Sequence, residues 1–122
     1  MQATSVDLWR VNVAQILGDD QRALEVGRSV LPRLEQVQPE DPSQQNLRNI
    51  FLRSVLFAMA QSAYALKDYA TAERLMTQLL EVRKREPTRT LGAKREAAFE
   101  RAFAALVLVR LDPMRSNSSH RS

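Results

Sequence analysis

The stretch of sequence that decides the fold runs from residue 60 to residue 73 and reads AQSAYALKDYATAE. Helix-forming residues lie on both sides of Lys67-Asp68, which we interpret as a tight turn. Asp68 can accept a hydrogen bond from the first amides of the following segment, as helix N-cap residues do. The stretch therefore predicts two helices joined by a very short connection.

Helical patterns extend outward from this turn in both directions. Apolar residues spaced three and four apart predict five helices, at about residues 5–17, 20–37, 43–66, 69–85 and from 88 or 90 to 111. Gly18 should end the first helix, Asp19 or Asp20 should cap the second, and Ser43 should cap the third. Pro32 predicts a kink in the second helix or its division into two. The third helix is apolar on all sides, which predicts a central position.

The fifth helix should end at Asp112-Pro113, because proline does not continue a helix well. This predicts a helical domain over residues 1–112 and a disordered polar tail over residues 113–122.

The composition favours a soluble helical domain. The chain has 122 residues, three glycines and no cysteine, so disulfides and thiolate chemistry are excluded. No apolar run reaches the ~20 residues needed to cross a membrane, and the N-terminus has no signal-peptide pattern. We expect a cytoplasmic protein with no membrane partner.

The formal charge of +4 is distributed unevenly along the chain. Residues 1–42 contain seven acidic and four basic residues, whereas the remainder contains fourteen basic and seven acidic residues. Ends of opposite charge can attract one another, a neighbouring domain or an anionic partner.

The central stretch resembles a tetratricopeptide repeat. It has that family's hinge, which is a small residue on helix A, a short turn, an Asp-Tyr pair and an alanine on helix B. Within residues 56–86, Ala60 and Ala72 are the small residues that let the two helices approach, and Leu79 stands at a large helix-B contact. The resemblance implies an all-α fold of antiparallel helical hairpins, stacked as a short tetratricopeptide-like array of about five helices with a C-terminal capping helix.

A weaker match lies at residues 17–23, where Ala23 is the helix-B alanine. From Gly18 to Lys67 is 49 residues, whereas the usual repeat is about 34. Longer helices are therefore expected, as in the extended repeats of some bacterial regulators. Because arrays normally need about three repeats, we expect either a homodimer or the C-terminal part of a larger bacterial regulatory or signalling protein.

The sequence offers no set of residues for catalysis. His120, the one histidine, lies in the polar tail without an orienting partner, which excludes histidine-based catalysis and metal sites. No glycine-rich phosphate loop occurs. The carboxylate pairs Asp19-Asp20 and Glu40-Asp41 are better explained by helix capping and loop solubility. We expect no enzyme activity, no cofactor and no metal.

In tetratricopeptide proteins, helix A lines a concave groove that binds peptides. The resemblance carries this role onto Leu8, Asn12, Gln15, Phe57, Gln61 and Tyr64. Amides can hold a peptide backbone, and aromatic rings supply contact area. In the alternative interpretation, Phe57 and Tyr64 simply fill the core against the first hairpin.

The densest basic region gives a second hypothesis, in which residues 83–95 bind an anion or nucleic acid. Its candidate ligands are Arg83, Lys84, Arg85 and Arg89. The simpler interpretation is favourable placement of cations near a helix C-terminus. Interspersed glutamates and the lack of interleaved aromatic residues disfavour nucleic acid. The leading prediction is therefore a non-enzymatic protein–protein interaction scaffold whose partner is another protein or peptide.

Overall fold

The computed structural model describes the backbone of residues 2–36, 38, 40–85 and 90–120, and the side chains of residues 9–36, 38, 40–85 and 90–111. Within these residues the protein contains five α-helices and no β-strand, which confirms the all-α prediction. The helices are α1 (Gln2–Ile16), α2 (Asp20–Gln36), α3 (Pro42–Ala65), α4 (Tyr69–Lys84) and α5 (Leu91–His120).

The turns between α1 and α2 and between α3 and α4 are built in the same way. Gly18 (φ 81°) and Lys67 (φ 64°) both have left-handed backbone conformations. The amide of the next residue donates to the carbonyl five residues back, at 2.8 Å for Asp19 and 2.9 Å for Asp68. These bonds define a Schellman motif. Each aspartate then accepts from the amide three residues ahead, at 3.3 Å, so both predicted turns are confirmed.

The start of α3 differs from the prediction. Asp41, and not Ser43, is the N-cap residue, because its Oδ1 accepts the Gln44 amide at 2.9 Å. Gln44 Oε1 in turn accepts the amide of Glu40 at 2.9 Å, which gives a reciprocal pair of capping bonds. Pro42 occupies the first turn, where its missing amide hydrogen costs nothing.

α2 continues through Pro32 as a single helix, so the predicted division into two helices is not observed. Pro32 lies on the exposed side, where water can reach the carbonyl that has lost its intrahelical donor. The end of α2 is held by Arg48 of α3, whose Nε donates to the Leu34 carbonyl at 3.0 Å. Its Nη2 donates to the Glu35 carbonyl at 3.2 Å. Arg48 thus satisfies two carbonyls that the helix end leaves without amide donors.

α3 is the central helix, as its apolar pattern predicts. It packs against α1, α2 and α4, and its aromatic rings contact rings of α5. Ala60 of α3 and Ala72 of α4 are both fully buried, and their small side chains suit the close packing of these two helices. Gly27 allows a similar approach of α2, because a Cβ atom there would overlap Sδ of Met59.

The contacts arrange the helices in two layers. α1, α3 and α5 lie side by side in one layer. In the other layer, α2 rests on α1 and α3, and α4 rests on α3 and α5.

α5 differs from the prediction at its end. Its backbone stays helical to His120, whereas the sequence predicts a stop at Asp112-Pro113. Proline keeps a helix-compatible φ and removes only one amide donor, so the helix can continue. The side chains after Leu111 lie outside the described residues, and the division into a 1–112 domain and a 113–122 tail stays a prediction.

Candidate peptide-binding groove

A groove of about 430 Å³ lies along the layer formed by α1, α3 and α5. Four of the predicted groove residues lie in its wall: Asn12 and Gln15 from α1, and Phe57 and Gln61 from α3. All four are half-buried. The fold therefore brings together residues that are 45 positions apart in sequence, because α1 packs directly against α3.

The amide groups in the groove differ in how firmly they are held. Asn12 Nδ2 donates to Ser54 Oγ on α3 at 3.4 Å, a long bond that links the two helices. The side-chain amides of Gln15 and Gln61 form no hydrogen bond with the described part of the chain. Each can therefore offer both a donor and an acceptor to a ligand's backbone.

Phe57 takes part in both the groove and the core. Its ring contacts the rings of Phe99 and Phe103 on α5, at centroid distances of 5.7 Å and 5.5 Å. Both contacts are edge-to-face, a favourable geometry for aromatic pairs. The ring is therefore held by α5, which fixes the face that it presents to the groove.

Tyr64 is not part of the groove wall. Its ring contacts Tyr69 at 5.3 Å and Phe103 at 5.5 Å, so it belongs to an aromatic cluster between α3, α4 and α5. Its hydroxyl accepts a hydrogen bond from Arg110 Nε at 3.1 Å. That bond, with smaller electrostatic effects of Tyr64 and Tyr69, raises the pKa of Arg110, which stays charged.

Six further residues line the groove that the sequence did not predict to lie there. They are Ile50, Arg53, Ser54, Ala58, Glu96 and Glu100. The four from α3 share the three- and four-residue spacing of Phe57 and Gln61, so helical periodicity alone could have found them. The two glutamates come from α5, for which the family resemblance assigned no groove role.

A buried ion pair forms the back of the groove's α5 wall. Arg83 of α4 binds Glu100 through two hydrogen bonds, Nε to Oε1 at 2.9 Å and Nη2 to Oε2 at 2.8 Å. The two side chains are 8% and 5% exposed. Glu96 lies 4.0 Å from Arg83 and is largely exposed at the groove's rim. This bidentate geometry fixes α5 on α4.

Three of the predicted anion ligands, Arg83, Lys84 and Arg85, lie within the described residues. Arg83 is buried against Glu100, and Lys84 binds Glu81 at 3.2 Å. Arg85 is exposed and lines a depression of about 650 Å³ together with Arg83 and Glu96. Arg89 lies outside the described residues, as does the side chain of Leu8 in the groove prediction.

Comparison with known proteins assigns no family to this chain. No family model, no curated protein and no solved structure matches it. In the described part of the chain, none of the helices is both long and apolar enough to cross a membrane. The same residues contain no group of three or more histidine, aspartate or glutamate side chains placed to hold a metal ion.

Proposed function

We propose that this chain is a non-enzymatic protein-interaction scaffold with a tetratricopeptide-like fold, and that its groove binds a peptide in extended conformation. The observation that carries the proposal is the convergence of Asn12, Gln15 and Gln61 beside Phe57 in one groove. The side-chain amides of Gln15 and Gln61 can pair with the peptide backbone, while the aromatic ring supplies apolar contact area.

The order and packing of the helices support the tetratricopeptide-like part of the proposal. Two hairpins turn through the same motif, 49 residues apart. The second helix of each hairpin rests on two helices of the other layer, as stacked repeats require. Ala60 and Ala72 are buried where the resemblance expects small residues.

The charges in the groove support binding rather than chemistry. Glu100 is already bound by Arg83, and Glu96 lies at the exposed rim. A catalytic carboxylate would need to be within reach of a substrate proton and in a defined environment. Neither glutamate meets both conditions.

The proposal can be tested with peptides selected against the purified protein from a random displayed library. Selected peptides are measured by fluorescence anisotropy against the natural chain and against a Gln15→Ala, Gln61→Ala double variant. Losing two hydrogen bonds should weaken binding on the order of tenfold or more. The matched control is Gln21→Ala, which removes an exposed glutamine of α2 outside the groove.

Circular dichroism would verify that all variants are folded. Equal affinity of every selected peptide for the natural chain and the double variant would refute the groove as the binding site. A photo-crosslinking residue at position 15 gives an independent readout, because a bound peptide should be captured there and not from position 21.

A further inference from the structure

The face of α5 that points away from the protein is apolar, and we call it the open face. It consists of Leu91, Ala98, Phe99, Ala102, Leu106 and Val109, all exposed. The four large side chains are 64%, 59%, 42% and 62% exposed in chain order. A helix that ends a repeat array normally presents a polar outer face. α5 therefore does not have the surface that the predicted capping helix should have.

The open face is a stripe along the helix that exposed Arg95 interrupts between Leu91 and Ala98. Its members lie 7, 1, 3, 4 and 3 residues apart, so they fall on one side at 3.6 residues per turn. At 1.5 Å per residue the stripe is roughly 27 Å long, which suits a partner helix of about five turns. Ala98 and Ala102 lie in its middle, where small side chains allow another helix to approach closely.

Among the described residues of α5, the charged side chains on and beside the open face are all positive. Lys94, Arg95, Arg101 and Arg110 are exposed on it or at its edges. The acidic residues between 91 and 111 are Glu96 and Glu100, and both lie on the groove side. Lys94, Arg95 and Arg101 form no ion pair within the described residues. A ligand of the open face thus meets apolar surface bordered by cations.

This charge argues against a second copy of the chain. Two open faces placed together would oppose four cations to four cations, and like charges across an interface are costly. A second exposed apolar cluster, around Trp9 and Ile16 on α1, has Arg10 beside it and no acidic residue from 9 to 18. Neither of these two surfaces on a second copy complements the open face.

We propose that the open face of α5 binds an amphipathic helix of a partner protein, whose apolar stripe is bordered by aspartate and glutamate. Helix-in-groove recognition uses apolar anchors at this spacing, and opposite charges at the rim select the partner and its orientation. This surface lies on a different side of α5 from the groove, and the inference does not depend on the peptide-binding proposal.

The test uses three capped peptides of ~18 residues, long enough for about five helical turns. The first has leucines at i, i+3, i+4 and i+7 with glutamates beside them, the second has lysines in place of the glutamates, and the third is a scramble of the first. Fluorescence anisotropy should show the glutamate peptide binding on the order of tenfold more tightly than the lysine peptide, with affinity that falls as salt rises. Equal binding of these two peptides would overturn the proposal.

Two pairs of variants test where on the protein surface the peptide binds. Leu106→Asp should weaken binding at least about tenfold, whereas Ile16→Asp, a more exposed apolar control on α1, should not. Arg101→Glu should reduce the preference for the glutamate peptide, whereas Lys84→Glu on α4 should leave it unchanged. Equal effects of each variant and its control would contradict the inference.

Two further outcomes separate this inference from its competitors. Weakening by Gln61→Ala but not by Leu106→Asp would place the peptide in the groove, which overturns this inference and leaves the proposed function standing. Light scattering should show a monomer. A dimer that Leu106→Asp dissociates would assign the open face to a second copy and overturn the inference.

Discussion

Removal of one partner from the Arg83–Glu100 pair should destabilise the protein far more than removal of both. The Arg83 side chain is only 8% exposed, and Glu100→Met removes the carboxylate that binds its guanidinium in bidentate geometry. Breaking a buried pair costs about 3–5 kcal/mol. We expect the lower end, about 3 kcal/mol, because Glu96 already lies 4.0 Å from Arg83 and can compensate in part. Arg83→Met should cost at least as much, since the described residues offer Glu100 no second cation at hydrogen-bond distance.

The double variant Arg83→Met, Glu100→Met should be within about 1 kcal/mol of the natural chain, because two apolar side chains of similar length replace the pair. Urea unfolding followed by circular dichroism measures these free energies. Each single variant should also melt roughly 10 °C lower.

Two results would refute this reasoning. A loss below about 1 kcal/mol in either single variant would show that the pair behaves as an exposed salt bridge. A double variant that loses the sum of both single effects would show that the two side chains act independently and that their hydrogen bonds are not the source of the stability.

Three other substitutions test a buried hydroxyl, the backbone conformation of a turn and the packing of α2 on α3. Ser62→Ala should stabilise the protein by about 1 kcal/mol in urea unfolding, because the fully buried Ser62 hydroxyl has no hydrogen-bond partner within the described residues; a loss would contradict this. Lys67→Gly should raise stability by about 0.5–1 kcal/mol in thermal melts by relieving the left-handed backbone, and an unchanged Tm would count against that strain. Gly27→Ala should cost about 1 kcal/mol in urea unfolding, because overlap with Met59 outweighs the gain in helix propensity. Gly92→Ala, which has open space around the new Cβ, should not be destabilising, and equal effects of both glycine variants would refute the overlap.

Much of the fold follows from local sequence signals. Gly18 and Asp68 mark their turns because a left-handed backbone and an N-cap each demand particular residue types. Residue type alone does not distinguish Ser43 from Asp41 as the N-cap of α3, because both can cap a helix. The placement of Pro42, which favours the first helical position, decides for Asp41. The end of α5 was less predictable, because one proline weakens a helix without always ending it.

The groove was partly predictable for a similar reason. Asn12, Gln15, Phe57 and Gln61 follow from helical spacing and the family resemblance. The contribution of α5 depends on tertiary packing, which places Glu100 opposite Arg83, 17 residues away. In the sequence that arginine looks like part of a basic surface run, and nothing local shows that it is buried.

The equivalence of the two turns has a consequence for the length of the protein. The Leu66 amide donates to the carbonyl four residues back, as the Leu17 amide does in the first turn. The residues before one turn can therefore be joined to the residues after the other turn. Tandem duplication of residues 18–66 would join Leu66 to a new Gly18 inside an intact turn and add one α2–α3 unit. The chain could therefore be lengthened by whole units of 49 residues without altering a single helix end.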